Sequence, residues 1–428
     1  MTRLDRIAIV GASLAGLRAA EALRQKEFTG TLTLIGAEPH LPYDRPPLSK
    51  DVLQGTWAPE KTSLLRDEGL EPLNLDLRLG RRAVSLDTNA RTLSLDDGTQ
   101  IAFDGLVIAT GATPRQLPTA MTAGSDGAPL AGIHTLRTLD DCLAIAKELE
   151  ASPRVAVIGA GFIGAEVAAS CRQRGLDVTL VEPMPVPFGP TLGEDVGQAI
   201  CAEHRDQGVD LRLGVGLAGC KGERRVEKIE LSDGTLLDAD VVIVGIGVRP
   251  ETTWLENSGV ALDDGVLCNA ACETSVPGIV AAGDLARWPN PLFCSPYKGS
   301  DASRVPATAG GPGETMRIEH WSNATEQARH AVETLLAPPG EAQPFAPVPF
   351  VWSDQYDLKI QSAGVVAGAD ESRIVYGSLA ERRFLKLYGR RGQLTGALAF
   401  NEPRRLIGYR RQLRKPMAWK DAIAAAEE

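Results

Sequence analysis

Two runs of uninterrupted apolar residues each break on glycine in the same way. Ile7-Ala8-Ile9-Val10 runs into Gly11-Ala12-Ser13-Leu14-Ala15-Gly16, and Val155-Ala156-Val157-Ile158 runs into Gly159-Ala160-Gly161-Phe162-Ile163-Gly164. Strands without polar alternation are buried on both faces, as in parallel sheets covered by helices. Each turn leads into a helical pattern and then a second apolar strand ending in an acid, Leu32 to Glu38 and Val178 to Glu182. The pattern echoes again further on. Leu95-Asp96-Asp97-Gly98-Thr99 leads into Leu106-Val107-Ile108-Ala109-Thr110-Gly111, and Leu231-Ser232-Asp233-Gly234-Thr235 leads into Val241-Val242-Ile243-Val244-Gly245-Ile246-Gly247. Both pairs read as an Asp-Gly hairpin before a buried strand that ends in glycine.

The chain thus predicts an α/β protein with two Rossmann-like dinucleotide-binding domains and a C-terminal α+β domain. Gly278 to Asp284 adds a short apolar strand ending in Gly-Asp, and Pro289 to Gly313 has no periodicity and reads as loop in its latter part. A helix is expected over Asn323–Leu336, then an extended linker over Pro338–Pro349. The last eighty residues alternate as strands at Phe350–Trp352, Lys359–Gln361, Arg373–Tyr376, Phe384–Tyr388 and Leu394–Phe400, with a helix at the end. The expected boundaries are 1–116 with 248–329 for the first domain, 117–247 for an inserted second, and 330–428 for the third.

The glycines carry the chemistry. Lacking Cβ atoms, they let the backbone approach a pyrophosphate, whose charge the following helix N-terminus stabilises. The first motif carries Ser13 where the second has Gly161, a small departure that still permits close approach. Glu38 and Glu182 stand where a carboxylate accepts hydrogen bonds from both hydroxyls of an adenosine ribose. Such a carboxylate repels a 2′-phosphate. No Arg or Lys occurs in the six residues after Glu182, which favours NADH over NADPH at the second turn.

Composition narrows the picture. With 428 residues the chain can bury two or three cores, and its 23% charged and 43% hydrophobic content is that of a globular protein. A net charge of −10 argues against nucleic acid or an anionic membrane as general partners. No apolar run approaches the roughly 18–20 residues that span a bilayer. Met1 to Arg6 lead straight into the first strand, so no signal peptide and a cytoplasmic location are expected. The seven cysteines form no Cys-x-x-Cys pair, and Cys268 and Cys272, the closest, are expected to be reduced structural thiols without a metal. One basic cluster stands out, with Arg404, Arg405, Arg410, Arg411, Arg414 and Lys415 within twelve residues.

Pro42-Tyr43-Asp44-Arg45-Pro46-Pro47-Leu48-Ser49-Lys50 resembles a signature of the FAD-dependent NADH reductases that feed ferredoxins, putidaredoxin and rubredoxin in bacterial oxygenase systems. The resemblance extends to both glycine motifs, to Ala109 through Arg115, to Gly283-Asp284, to Arg317-Ile318-Glu319-His320-Trp321-Ser322-Asn323-Ala324, and to Pro349-Phe350-Val351-Trp352-Ser353-Asp354-Gln355. It implies FAD bound through Gly11, Ser13, Leu14, Ala15, Gly16, Glu38, Arg45, Lys50, Ala83, Ala109, Thr110, Gly111, Arg137, Gly283, Asp284, Glu319, His320 and Trp321. It implies NADH on Gly159, Gly161, Phe162, Ile163, Gly164, Glu166, Glu182, Gly245, Ile246 and Gly247.

Lys50 is then the cation beside the flavin N5, and Glu166 the carboxylate that pairs with it. Arg45 approaches the pyrophosphate or ribityl region, Asp284 bonds the ribityl chain, and Trp321 lies against the flavin. Ala83 and Arg137 match weaker positions on the adenine and ribityl side. Disulfide reductases of this fold carry a Cys-x4-Cys pair on the first domain's long helix, whereas here the first cysteine is Cys142. Electrons must therefore pass directly to an outside acceptor. An acidic iron–sulfur carrier docking on the basic cluster serves that need. An NADH oxidase, a quinone or ascorbyl-radical reductase, and a redox-gated binding flavoprotein like the apoptosis-inducing factors remain the alternatives. The chain departs from the family pattern at Cys294 to Pro312, which interposes roughly twenty residues before the Arg317 stretch.

Overall fold

The structure is a computed structural model, described here for residues 4–124, 126–294 and 314–427. Nearly all of the interposed stretch thus lies outside the described residues. The chain divides into two compact units. Unit 1 comprises Met1–Asp44, Ser63–Thr113 and Arg249–Val351, and unit 2 comprises Arg45–Thr62, Pro114–Val248 and Trp352–Glu428.

Unit 1 is built on a five-stranded sheet in the order Ile279–Ala281, Gly105–Ile108, Arg6–Val10, Thr31–Gly36, Leu75–Leu79. Every neighbouring pair is parallel. The central strand is buried from Ile7 to Val10, as its unbroken apolar run requires. Helix Leu14–Gln25 follows directly, buries Leu17, Ala19, Ala20 and Leu23, and packs against helix Trp321–Leu336. The small alanines let these elements approach closely. A three-stranded antiparallel sheet, Ala83–Asp87, Thr92–Leu95 and Gln100–Ala102, carries the Asp-Gly turn.

Unit 2 repeats the parallel theme in the order Asp210–Leu213, Val178–Glu182, Val155–Ile158, Val241–Val244, Ile133–Thr135. Helix Phe162–Gln173 follows its glycine turn, as Leu14–Gln25 follows the first. Helix Leu139–Leu149, which the periodicity does not announce, starts with a capping box between Thr138 and Asp141.

The last strands form an antiparallel sheet in the order Phe350–Gln355, Leu358–Gly364, Gln393–Phe400, Arg383–Arg390, Glu371–Ser378. Phe384 and Phe400 stack in its core, 5.0 Å apart and 11° from parallel. Leu358, Ile360 and Leu398 join Ala165, Phe188, Val196 and Ile200 in one apolar cluster, so this sheet shares a core with helices Phe162–Gln173 and Glu194–Asp206. Helices Pro403–Gln412 and Trp419–Glu427 end the chain.

The two parallel sheets and the antiparallel C-terminal sheet are the architecture that the hydrophobic pattern predicts. The C-terminal strands run up to three residues beyond the expected ends, whereas Thr31–Gly36 stops short of Glu38 and Ile279–Ala281 is shorter than the expected Gly278 to Asp284. The helix expected from Asn323 starts at Trp321, after His320 takes extended backbone at its N-cap. Among the described residues no helix is long and apolar enough to cross a membrane.

Candidate functional site

In unit 1 the first glycine turn is shaped by backbone crowding. Gly11 has φ +118°, and a Cβ on it would lie 2.0 Å from the Ala109 carbonyl oxygen. A Cβ on Gly16 would lie 1.8 Å from the oxygen of Gly11. The Ala109-Thr110-Gly111 segment is thereby seated against the turn, and Thr110 Oγ1 donates to the carbonyl of Glu251 at 2.7 Å. Ser13 makes no side-chain cap on helix Leu14–Gln25, leaving the first N–H groups, with Leu14 and Ala15, for an anion.

Glu38 accepts a hydrogen bond from the Tyr43 hydroxyl. The Gly80 amide donates to the Glu38 carbonyl at 2.9 Å, which pins the chain leading into Ala83 beside it. Asp44 accepts from the indole N–H of Trp321 at 2.7 Å, so the Pro42-Tyr43-Asp44 segment is tied to the start of helix Trp321–Leu336. Gly283 donates its amide to Gln327 Oε1 at 2.9 Å and stands over Ala15. Beside Asp284, His320 is held neutral because burial pushes its imidazole down to about 4, with the Asp284 carboxylate opposing. Its buried Nδ1 has no hydrogen-bond partner among the described residues. Glu319 is half exposed and ion-paired with Arg317. The uncapped helix, the Ala109 seat and the orphaned Nδ1 beside Asp284 together fit a bound FAD.

In unit 2 the second turn repeats the geometry. A Cβ on Gly159 would lie 2.4 Å from the Gly245 oxygen, and one on Gly164 would lie 1.9 Å from the Gly159 oxygen. A Cβ on Gly161, by contrast, would meet nothing within 4 Å. The turn is therefore open at Gly161. Glu182 is buried, with one carboxylate oxygen on the Ala160 amide at 2.8 Å and the other on the Met184 amide at 3.0 Å. Two backbone donors thus fix the carboxylate. Phe162 packs on Phe188 at 4.9 Å, while Ile163 and Ile246 are exposed.

The expected charge pair is present. Lys50 Nζ lies 3.0 Å from Glu166 Oε2, and the side chains are 14% and 4% exposed. Glu166 also accepts from Ser49 Oγ at 2.6 Å and Ser353 Oγ at 2.7 Å. A buried ion pair is stable only when its remaining sites are hydrogen-bonded, and the two serines meet that need. Arg45 and Arg137 also come together, with Arg45 Nη1 donating to the Arg137 carbonyl at 2.6 Å. Both belong to unit 2, whereas the first glycine turn belongs to unit 1.

Pattern reasoning did not single out Ser49, Ser353 or Gln327. The two serines lie inside stretches that resemble the reductase signature, but a hydroxyl's partner across 117 or 187 residues leaves no local signature. All seven cysteines are free and buried. Burial pushes the thiols of Cys142, Cys171 and Cys272 up to about 12 and that of Cys220 to about 11. Among the described residues, no cluster of three or more His, Cys, Asp and Glu could hold a metal ion.

The pyridine nucleotide-disulphide oxidoreductase model matches residues 5–328, and the reductase C-terminal model matches residues 350–428. The chain is 34% identical over 412 residues to rhodocoxin reductase of Rhodococcus erythropolis, covering 96% of this chain and 90% of that protein. It is 37% identical over 374 residues to the ferredoxin–NAD(+) reductase component of the p-cumate 2,3-dioxygenase system of Pseudomonas putida, covering 87% and 84%. The putidaredoxin reductase in a covalent complex with putidaredoxin superposes with a TM-score of 0.86 at 30% identity, covering 98% of this chain and 95% of that one. A ferredoxin reductase from Rhodopseudomonas palustris gives a TM-score of 0.86 at 33% identity, covering 99% and 98%. With both models matched and these relatives aligned nearly end to end, the chain belongs to the pyridine nucleotide-disulphide oxidoreductase family, among its ferredoxin reductases with a reductase C-terminal domain, a group that binds FAD and NAD(P)H.

Proposed function

We propose that this chain is the cytoplasmic reductase that takes a hydride from NADH onto bound FAD and delivers single electrons to an iron–sulfur carrier serving a cytochrome P450 or a ring-hydroxylating oxygenase. The observation that carries the reading is the burial of all seven thiols. With the thiols of Cys142, Cys171 and Cys272 pushed to about 12, no thiolate relay is at hand, and electrons must leave the flavin directly. When bound, FAD supplies the conversion between two-electron and one-electron chemistry.

The chain's residues do the rest. Gly11, Ser13 and the N-terminus of helix Leu14–Gln25 receive the FAD pyrophosphate, Glu38 the adenosine ribose, and Asp284 with His320 the polar groups beyond it. Gly159, Gly161 and Gly164 receive the NADH pyrophosphate, and Glu182 selects the unphosphorylated ribose. Lys50 and Glu166 are assigned to the hydride-transfer locus, where a buried pair holds its charges without bulk water. The boundaries 1–116 with 248–329, 117–247 and 330–428 are proposed for the FAD, NAD and carrier-facing domains.

Anaerobic mixing with NADH or NADPH, followed by a panel of ferredoxin and rubredoxin carriers and, in a separate arm, by oxygen, tests the proposal. NADH bleaches the flavin far faster than NADPH, and carriers turn over faster than oxygen. Equal rates with the two nucleotides would remove the role of Glu182, and turnover with oxygen alone would make the protein an oxidase.

A further inference from the structure

Beyond the Lys50–Glu166 pair, unit 2 holds a line of buried polar side chains that reaches from the carboxylate to a hairpin tip in the C-terminal sheet. Ser353 Oγ is 2.7 Å from Glu166 Oε1, and Gln355 Nε2 is 3.2 Å from Ser353 Oγ. His204 Nε2 is 3.1 Å from Gln355 Oε1, and the Tyr356 hydroxyl is 3.1 Å from His204 Nδ1. Ser353, Gln355 and His204 are at most 2% exposed. Every link lies within hydrogen-bond distance.

The direction of the chain follows from its anchor. An ionised carboxylate only accepts, so the proton of Ser353 is committed to Glu166. Ser353 must then accept from the amide of Gln355, which leaves the Gln355 carbonyl to accept from His204 Nε2–H. His204 is left with a bare Nδ1 that accepts from the Tyr356 hydroxyl. This arrangement needs a neutral imidazole, and burial, the largest influence on His204, favours that form. The donors all point one way, so each polarises the next toward Glu166.

An amide in the middle cannot hand on a proton as a hydroxyl or imidazole can. The chain therefore orients and does not conduct. Its outer end is also unusual. Tyr356 occupies the left-handed region with φ +54° at the turn between Phe350–Gln355 and Leu358–Gly364, a position that glycine or asparagine fills more easily. The ring set there meets His204 edge-on at 5.3 Å and 68°.

We propose that Tyr356, His204, Gln355 and Ser353 are positioning residues that form a one-way donor chain aiming the Glu166 carboxylate at Lys50, so that the C-terminal sheet sets the geometry of the hydride-transfer locus. The proposal rests on the assignment of Lys50 and Glu166 made above. Together with Ser49 on the other oxygen, the chain keeps Glu166 from rotating away from the lysine.

The test uses the full-length flavoprotein and two readouts. One is flavin reduction at saturating NADH, and the other is the rate of reductive methylation of Lys50, followed by mass spectrometry without NADH. Glu166→Gln is the reference, slowing reduction and exposing Lys50 to the reagent. Ser353→Ala and His204→Leu shift both readouts in the same direction, by about threefold to tenfold, with the KM for NADH little changed. His204→Gln, whose amide restores the donor to Gln355, returns both to within twofold of the parent. Tyr356→Phe, which removes only the outermost hydroxyl at a half-buried site, gives a smaller change of the same sign. If Glu166→Gln exposes Lys50 while Ser353→Ala and Tyr356→Phe leave both readouts at parent values, the positioning chain is overturned and the hydride-locus assignment stands. If Glu166→Gln exposes Lys50 without slowing flavin reduction, that assignment falls, and methylation in the other variants still reports whether the chain aims the carboxylate.

Discussion

Glu182 shows how much one side chain decides when its surroundings fix it. Its two oxygens are held by the amides of Ala160 and Met184, so the carboxylate cannot swing aside for a 2′-phosphate. Neutralising it as Glu182→Gln removes the repulsion and spoils one ribose hydrogen bond. The ratio of kcat/KM for NADH over NADPH is expected to fall about tenfold, chiefly through a weaker NADH reaction, as a lost charge-assisted hydrogen bond predicts. Steady-state rates with both nucleotides check it, and an unchanged ratio would place selectivity elsewhere. His320 gives a second residue-scale prediction. Its folded-state pKa lies near 4 against an ordinary 6.5, so the unfolded chain takes up the proton first. The stability that depends on the neutral imidazole is complete above about pH 6.5 and is lost as pH falls toward 4. The loss attributable to His320 is on the order of 3 kcal/mol over that window. Urea unfolding at pH 7 and pH 4.5 measures it, and His320→Asn, which has no imidazole to protonate, flattens the slope.

At the scale of elements, the strand–turn–helix motif uses glycine for two different reasons at different positions, and the difference is measurable. Gly11 sits at φ +118° against a carbonyl 2.0 Å from its ideal Cβ, so Gly11→Ala must displace backbone. A cost of about 3–5 kcal/mol in unfolding free energy is expected, with loss of bound flavin. Gly161 has φ −71° and open space, so Gly161→Ala keeps its fold and gains up to about 1 kcal/mol by restricting the unfolded chain. At the NADH site proposed above its penalty falls on the nucleotide, as a KM for NADH raised about tenfold, because the added methyl group would crowd the pyrophosphate. Thermal melts and NADH titrations of the two variants separate structural glycine from binding glycine. The sequence makes both turns legible, since buried parallel strands and their glycines are local patterns of a few residues. The five C-terminal strands were legible by alternation for the same reason. What escapes local pattern is partnership across the chain. Nothing around Ser353, His204 or Gln327 announces which atom each will meet, because those meetings follow from how sheets and helices pack. Glu166 shows the limit from the other side. Its place beside the glycine turn is readable, but its burial under two serines is a property of the assembled unit.

For the whole molecule, a net charge of −10 would repel the acidic carrier proposed above, and the basic helix is the surface proposed to offset that repulsion. Helix Pro403–Gln412 buries Leu406 and turns Arg404, Ile407 and Arg411 outward at helical spacing, with Arg414 and Lys415 exposed just beyond it. Ile407 is 54% exposed, which gives the positive surface an apolar centre. Not all six charges are available for docking. Arg405 stacks on Tyr376 at 3.5 Å and leans on Glu402, and Arg410 and Arg411 lie in the last turn, where cations also stabilise the helix dipole. Arg404 and Arg414 are therefore the informative pair. Reversing both to Glu is expected to lower kcat/KM for an acidic [2Fe–2S] ferredoxin about tenfold or more at low salt, mostly through slower association. The parent and the variant should converge as ionic strength rises and the Debye length shrinks to a few ångströms. Reduction of the flavin by NADH should not change, because neither arginine is among the residues assigned to the nucleotides. If carrier turnover held at its parent value across the salt range, the docking surface would have to lie on another face, and the arginines would be a solvated helix end.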